Sequence, residues 1–314
     1  MITAPTLHLG APTQAGPLTV HPIWTDAPAV ARTPSTSIPR GASISELSTG
    51  AIVERLAVRN PTSKDFLLTG GSMFDGGEQH RVLVNSMLIE AGDEVDLDVR
   101  CVEQGRWGAH GTERRHGLHR CRAPLAVRGA LRGIRIDDPL TARQRFGDDD
   151  RADRADEQVD VWSRVKRYER TLGDSATSSI VEVTDRLELE EREVLDRLQV
   201  LPGQRGVLIG IGGHPVTMEV FEHQRVLTAQ FAAIIGGVLA DARLVPAQPT
   251  PGHRARTFVG QVSARRLEPW AAAGSALAVE VRDDLVVADG LVIESNRMIH
   301  LSVLNARHEL VGAR

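Results

Sequence analysis

The apolar positions of this chain change period along its length, and the changes divide it. Through VLVNSMLIEAGDEVDLDVRCVE (82–103), Val82, Val84, Met87, Ile89, Val95, Leu97, Val99 and Cys101 recur at a period near two. That is the pattern of strands with one face in a core and one in water. Leu97 to Cys101 forms the inward row, with Asp96, Asp98 and Arg100 facing solvent, and Ala91-Gly92-Asp93 supplies a turn. Shorter apolar runs at 18–24, 52–58 and 66–68, separated by turn residues, predict further strands. Pro22, which has no N–H to donate, places the 18–24 strand at a sheet edge.

From about residue 156 the period becomes helical: Val161, Val165, Tyr168 and Leu172 step by 4, 3 and 4, and Gly173 ends the run. A second helix is predicted over 178–200 and a third over 223–241, the latter with a weak patch at Gly236-Gly237. Between them, 206–211 and 216–221 read as a hairpin about Gly212-Gly213, and 246–255 reads as a loop. The tail alternates again from Phe258, with Asp289-Gly290 as a hairpin turn. The prediction is an α+β fold: an N-terminal antiparallel sandwich-like half, central helices and a hairpin-rich C-terminal part. Its divisions are an arm with one edge strand (1–43), a sandwich-like module (44–125), a helical and hairpin-helix region (126–245) and a β-rich segment (246–314).

Composition narrows the function classes. With 41% hydrophobic and 25% charged residues the chain is globular. A formal charge of −4 argues against a general nucleic-acid binder. Of the 37 basic residues only Lys64 and Lys166 are lysines, a skew that discounts arginine patches as phosphate contacts. Two cysteines make no disulfide framework, and the N-terminus lacks the pattern of a signal peptide. The apolar run at 226–240 is interrupted by Thr228, Gln230 and two glycines, so no membrane span and a cytoplasmic setting are expected.

Recognised catalytic patterns are missing. Gly210-x-Gly212-Gly213 follows a strand but leads into His214-Pro215 and another strand, so it is a hairpin turn and no dinucleotide site. Cys101, His110, His116, His119 and Cys121 lack the close pairing of zinc ligands, and Asp148-Asp149-Asp150 reads as a solvated acidic loop; no metal and no cofactor are expected. One polar cluster remains. Gln79, His80 and Arg81 follow the glycine pair Gly76-Gly77, while Glu103, Arg106 and Trp107 end a later strand. Backbone near glycines approaches a ligand closely, and arginine forks suit phosphate or carboxylate. The same residue types also make a structural salt-bridge network at a sheet edge, and residue types alone weigh the two readings equally.

The succession of Gly71, Gly76, Gln79 and Arg81, then Asn85, Ser86, Ala91 and Gly92, then Cys101-Val102-Glu103-Gln104-Gly105-Arg106-Trp107, resembles the ADP-ribosylglycohydrolase and rhodanese-phosphatase-superfamily-associated protein family. The likeness continues through 158–162, Pro202-Gly203-Gln204 and 211–222. Where that pattern carries paired acids this chain has Ser72-Met73, and Glu78 and His80 replace a lysine and an asparagine around the glutamine. The resemblance implies a nucleotide, ADP-ribose or phospho-sugar context, with ADP-ribose-processing or phosphatase-like enzymes as company. The lost acids favour a binding or accessory module, with Gln79, Arg81, Glu103, Arg106 and Trp107 as ligand residues. The alternatives are a hydrolase or transferase using Glu103 as general base, and a self-assembling structural component with exposed edge strands.

Overall fold

The structure is a computed structural model; it describes residues 2–27, 34–106, 115–134, 150–293 and 297–312. It is a mixed α+β fold, strand-rich towards both ends. The N-terminal strands close on themselves instead of forming a two-sheet sandwich. Strands β5 (Ser43–Ser45), β6 (Arg55–Arg59), β8 (Ser72–Gly76), β9 (Arg81–Leu83), β11 (Glu94–Cys101) and β12 (Arg115–Arg122) form a closed barrel in the order β11-β6-β5-β12-β8-β9. Closure leaves these strands no free edge. Ile44, Leu56, Val58, Phe74, Leu83, Leu97 and Val99 fill the interior, with Phe66 and Leu68 of β7 (Phe66–Leu68) and Ile89 of β10 (Met87–Ile89) packed on them.

Beside the barrel lies a ten-stranded antiparallel sheet. Its central path runs through β15 (Arg266–Ala273), β16 (Ala276–Arg282), β17 (Val286–Ile293), β18 (Arg297–Asn305), β14 (His214–Phe221), β13 (Gly206–Ile211) and β4 (Leu18–Thr25). The supposed arm belongs to this sheet as β1 (Ile2–Thr3), β2 (Leu7–Leu9) and β3 (Thr13–Ala15). Strand β4 is therefore no edge strand: it pairs with β13 on one side and with β2 and β3 on the other. Pro22 is tolerated because it lies opposite the gap between β2 and β3, where its carbonyl accepts from Gly10 N–H at 2.9 Å.

Helix α5 (Gln224–Ala242) packs between sheet and barrel. It is long and apolar enough to cross a membrane, but Val226, Leu227, Ile234, Ile235, Val238 and Leu239 are buried within the fold. The Gly236-Gly237 patch has a structural reason. A Cβ at Gly236 would meet Cys121 Sγ at 2.5 Å, and one at Gly237 the Arg122 carbonyl at 2.7 Å. Glycine costs a helix roughly 1 kcal/mol relative to alanine, and here it admits β12 against the helix backbone.

Helices α1 (Leu125–Leu131), α2 (Asp150–Leu172) and α3 (Ile180–Asp185) cover the outside of the barrel. Consequently Arg100, expected in water, is buried between Asp98 and Glu157 of α2. The predicted 178–200 helix is two, α3 and α4 (Glu188–Leu195), broken at Arg186-Leu187. Arg186 turns its guanidinium onto the carbonyls of Gly173 and Asp174, both at 2.7 Å, which holds the break. The expected 246–255 loop gives way at Gly252 to α6 (Gly252–Ser263), whose Ala255, Phe258, Val259 and Val262 pack on the sheet's other face. Asp289-Gly290 lies inside β17 instead of turning a hairpin: both residues are laddered to β16 and β18, and Asp289 pairs with the buried Arg132.

Candidate functional site

The residues singled out around the two glycines and the strand end do come together, at one end of the barrel. Gly76 and Gly77 hold φ values of +96° and +54°. A Cβ at Gly77 would lie 2.1 Å from His116 Nε2, so only glycine fits this turn. It delivers Gln79, buried, whose Nε2 donates to the Glu103 carbonyl at 3.0 Å and whose Oε1 accepts from Arg81 at 3.2 Å. Arg81 opposes Cys101 in the β9–β11 ladder. It shares the inward face of β9 with Leu83, is fully buried, and its pKa is lowered by that burial.

Glu103 stands just past β11, where residues 102–105 run beside 177–180. Gly105 N–H donates to Thr177 O at 2.7 Å and Ile180 N–H to Val102 O at 3.1 Å. Ser178 takes φ +52° there, a left-handed conformation rare for a residue with a side chain. Four protein donors reach the Glu103 carboxylate. Thr177 Oγ1 donates to Oε1 at 2.7 Å, and Oε2 accepts from His80 N–H at 2.9 Å, Arg106 Nε at 2.9 Å and Arg106 NH2 at 2.8 Å. Burial raises the pKa of Glu103, but Arg106, Thr177 and His80 together outweigh it and hold the carboxyl below its ordinary value.

Arg106 also donates to the Gly77 carbonyl at 3.1 Å, and its side chain keeps 26% exposure against 2% for Glu103. His80 Nδ1 contacts Ser179 Oγ at 2.9 Å, and burial lowers its pKa. Three of the donors to Glu103 converge on Oε2, and Thr177 alone among the described residues reaches Oε1. At the rim the cluster leaves Arg106 as its partly exposed cation, with the buried carboxylate engaged on both oxygens. Trp107 and His110 lie outside the described residues, as do Asp148 and Asp149. His116 pairs with Glu46 and His119 with Asp185, while Cys101 and Cys121 are buried free thiols. Among the described residues no group of three or more His, Cys, Asp and Glu side chains could hold a metal ion.

A second charged centre escaped sequence reasoning. Glu219 of β14, fully buried between sheet and barrel, meets Arg122 NH1 at 2.9 Å, Arg128 NH2 at 2.5 Å and His300 Nε2 at 3.0 Å. Burial raises its pKa, yet Arg122, Arg128 and the His300 hydrogen bond hold it well below the carboxylate range. The available signal was an acid inside the apolar run VTMEVF and a histidine inside MIHLSVL, but no spacing links them.

A closed barrel docked on an antiparallel sheet, with one polar cluster at its rim and one in the seam, defines a two-part α+β protein. The chain belongs to the ARG and Rhodanese-Phosphatase-superfamily-associated Protein domain family, whose model matches residues 6–304 and so spans both barrel and sheet. No curated protein and no solved structure matches it.

Proposed function

We propose that this protein is an accessory binding module for ADP-ribose-processing or phosphatase-like enzymes, and that the rim cluster takes an anionic ligand of the nucleotide, ADP-ribose or phospho-sugar type without turning it over. The engagement of both Glu103 oxygens by protein donors carries this reading. With both oxygens occupied, the carboxylate serves to aim Arg106, and Arg106 is the charged group of the set that keeps a solvent face. Arg81 and Gln79 support it from beneath through the Glu103 backbone. Guanidinium forks suit phosphate oxygens, which fits the company that the family's description names.

Isothermal titration with ADP-ribose, a nucleoside diphosphate and ribose phosphate tests the reading. One of these is expected to bind, with affinity falling about tenfold or more in Arg106→Ala, the loss of a charge-assisted contact. Equal binding by the variant, or turnover that disappears in Glu103→Gln, refutes it.

A further inference from the structure

A chain of hydrogen bonds runs through the seam between barrel and sheet. Ser86 Oγ lies 3.2 Å from His300 Nδ1, and His300 Nε2 lies 3.0 Å from Glu219 Oε2. Glu219 is an anion between two arginines, and a carboxylate only accepts. Nε2 therefore carries the imidazole proton and donates it to Glu219. Nδ1 is left with its lone pair, and the Ser86 hydroxyl donates to that. Hydroxyl to imidazole to carboxylate is the order in which a serine becomes a nucleophile. The ring is held in place by stacking on Phe221, centroids 4.9 Å apart. Burial outweighs Glu219 in lowering the pKa of His300, which keeps the imidazole neutral with the Nδ1 lone pair unprotonated.

Ser86 also lines a cavity of about 70 Å3 with Asn85, Met87, Trp270 and Ala273. At roughly 30 Å3 per water, that is space for two waters or for one acetyl-sized group. The Asn85 carboxamide makes no hydrogen bond to any described residue. An amide N–H beside a nucleophile is the type of donor that stabilises an oxyanion.

We propose that Ser86 is a nucleophile that accepts a small acyl group from a short-chain carboxylic ester, with His300 as its base and Glu219 as positioning residue. Oγ bonds to the carbonyl carbon while its proton passes to Nδ1. The ester C–O bond then breaks, and the departing alkoxide takes that proton from His300. Water attacks the acyl-serine by the same route, releasing the carboxylic acid and restoring the hydroxyl. No residue of the rim cluster takes part, so this inference and the binding reading fail separately.

The test is p-nitrophenyl acetate, with p-nitrophenyl butyrate as the larger analogue, on the intact folded chain. Wild type should release nitrophenolate and carry one acetyl group that peptide mass spectrometry places on Ser86. The butyrate should react more slowly, because the cavity is small. Ser86→Ala should lose the label, and His300→Asn should slow acylation roughly 100-fold or more, the range of general-base catalysis. In Glu219→Gln the acid limb of the rate profile should move to lower pH, since the imidazole loses its anionic partner; a purely structural carboxylate would leave that limb in place. Should a variant not fold, the acetyl map of the wild type decides. Wild type without acetyl on Ser86, or equal ester cleavage by Ser86→Ala, overturns the proposal.

Discussion

Thr177 and Glu103, 74 positions apart in the chain, are joined by a 2.7 Å hydrogen bond from the threonine hydroxyl to Oε1. Because Arg106 and His80 both crowd Oε2, Thr177 decides whether the buried carboxylate is satisfied on both sides. Replacing it by the isosteric valine keeps the volume and removes the donor. Thr177→Val should cost about 1–3 kcal/mol, the penalty of an unsatisfied buried acceptor. Urea denaturation should show a lower midpoint at an unchanged slope; an unmoved midpoint would mean that water replaces the hydroxyl.

Glu222, buried just past β14, has no hydrogen-bond partner on another described residue for either carboxylate oxygen, and burial pushes its pKa up to about 7. A carboxyl raised above its unfolded value is protonated in the fold and ionised in the open chain between the two values. Its stabilising contribution is therefore full below about pH 4.5 and is lost as pH rises through about 7. Asp241, also raised to about 7, acts in the same direction over the same window. Glu222→Gln should flatten its own share, up to about 1.4 kcal/mol per pH unit. Melting temperatures from pH 5 to 8 measure this: the variant should gain on wild type as pH rises, and parallel curves would contradict the assignment.

The seam centre should behave as a coupled unit. Glu219→Gln leaves Arg122 and Arg128 buried without their anion, a change expected to cost about 3–5 kcal/mol. Arg122→Met removes one of the two cations that face it. The double substitution should cost less than the sum of the singles, because each single strands a charge that the other removes. Strictly additive losses in a denaturant cycle would show the contacts to be energetically independent.

Both thiols should be inert in the folded protein. Cys101 and Cys121 are buried, and burial raises both pKa values, that of Cys121 to about 11. The reactive form is the thiolate. A thiol-specific chromogenic reagent should therefore find neither cysteine in buffer and both after urea unfolding. Rapid labelling of the native chain would require that the barrel wall opens.

The rim cluster was half legible. Gln79, Arg81, Glu103 and Arg106 announce themselves as a dense polar group beside glycines, and a strand end returning to a turn is a local matter. Thr177 and Ser179, which reach Glu103 and His80, carried no signal, because their roles depend on the 177–180 segment running beside 102–105. Arg100 looked solvent-facing from alternation alone; α2 covers that face, and coverage is not written in a strand's period. The helix at 252–263 was missed although Ala255, Phe258, Val259 and Val262 have helical spacing, since Pro251 and Gly252 mimic a loop.

What the sequence determined by itself is local: the period-two runs, the Gly212-Gly213 hairpin, the inward row of β11, the helix from Gln224 and the α+β class. Each follows from side chains within a few positions of one another. Barrel closure, the place of β4 between its neighbours and the meeting of Ser86, Glu219 and His300 were decided only by the tertiary structure. Ser86 and His300 are 214 positions apart, and what places them 3.2 Å from each other is the burial of a barrel against a sheet, which no local pattern specifies.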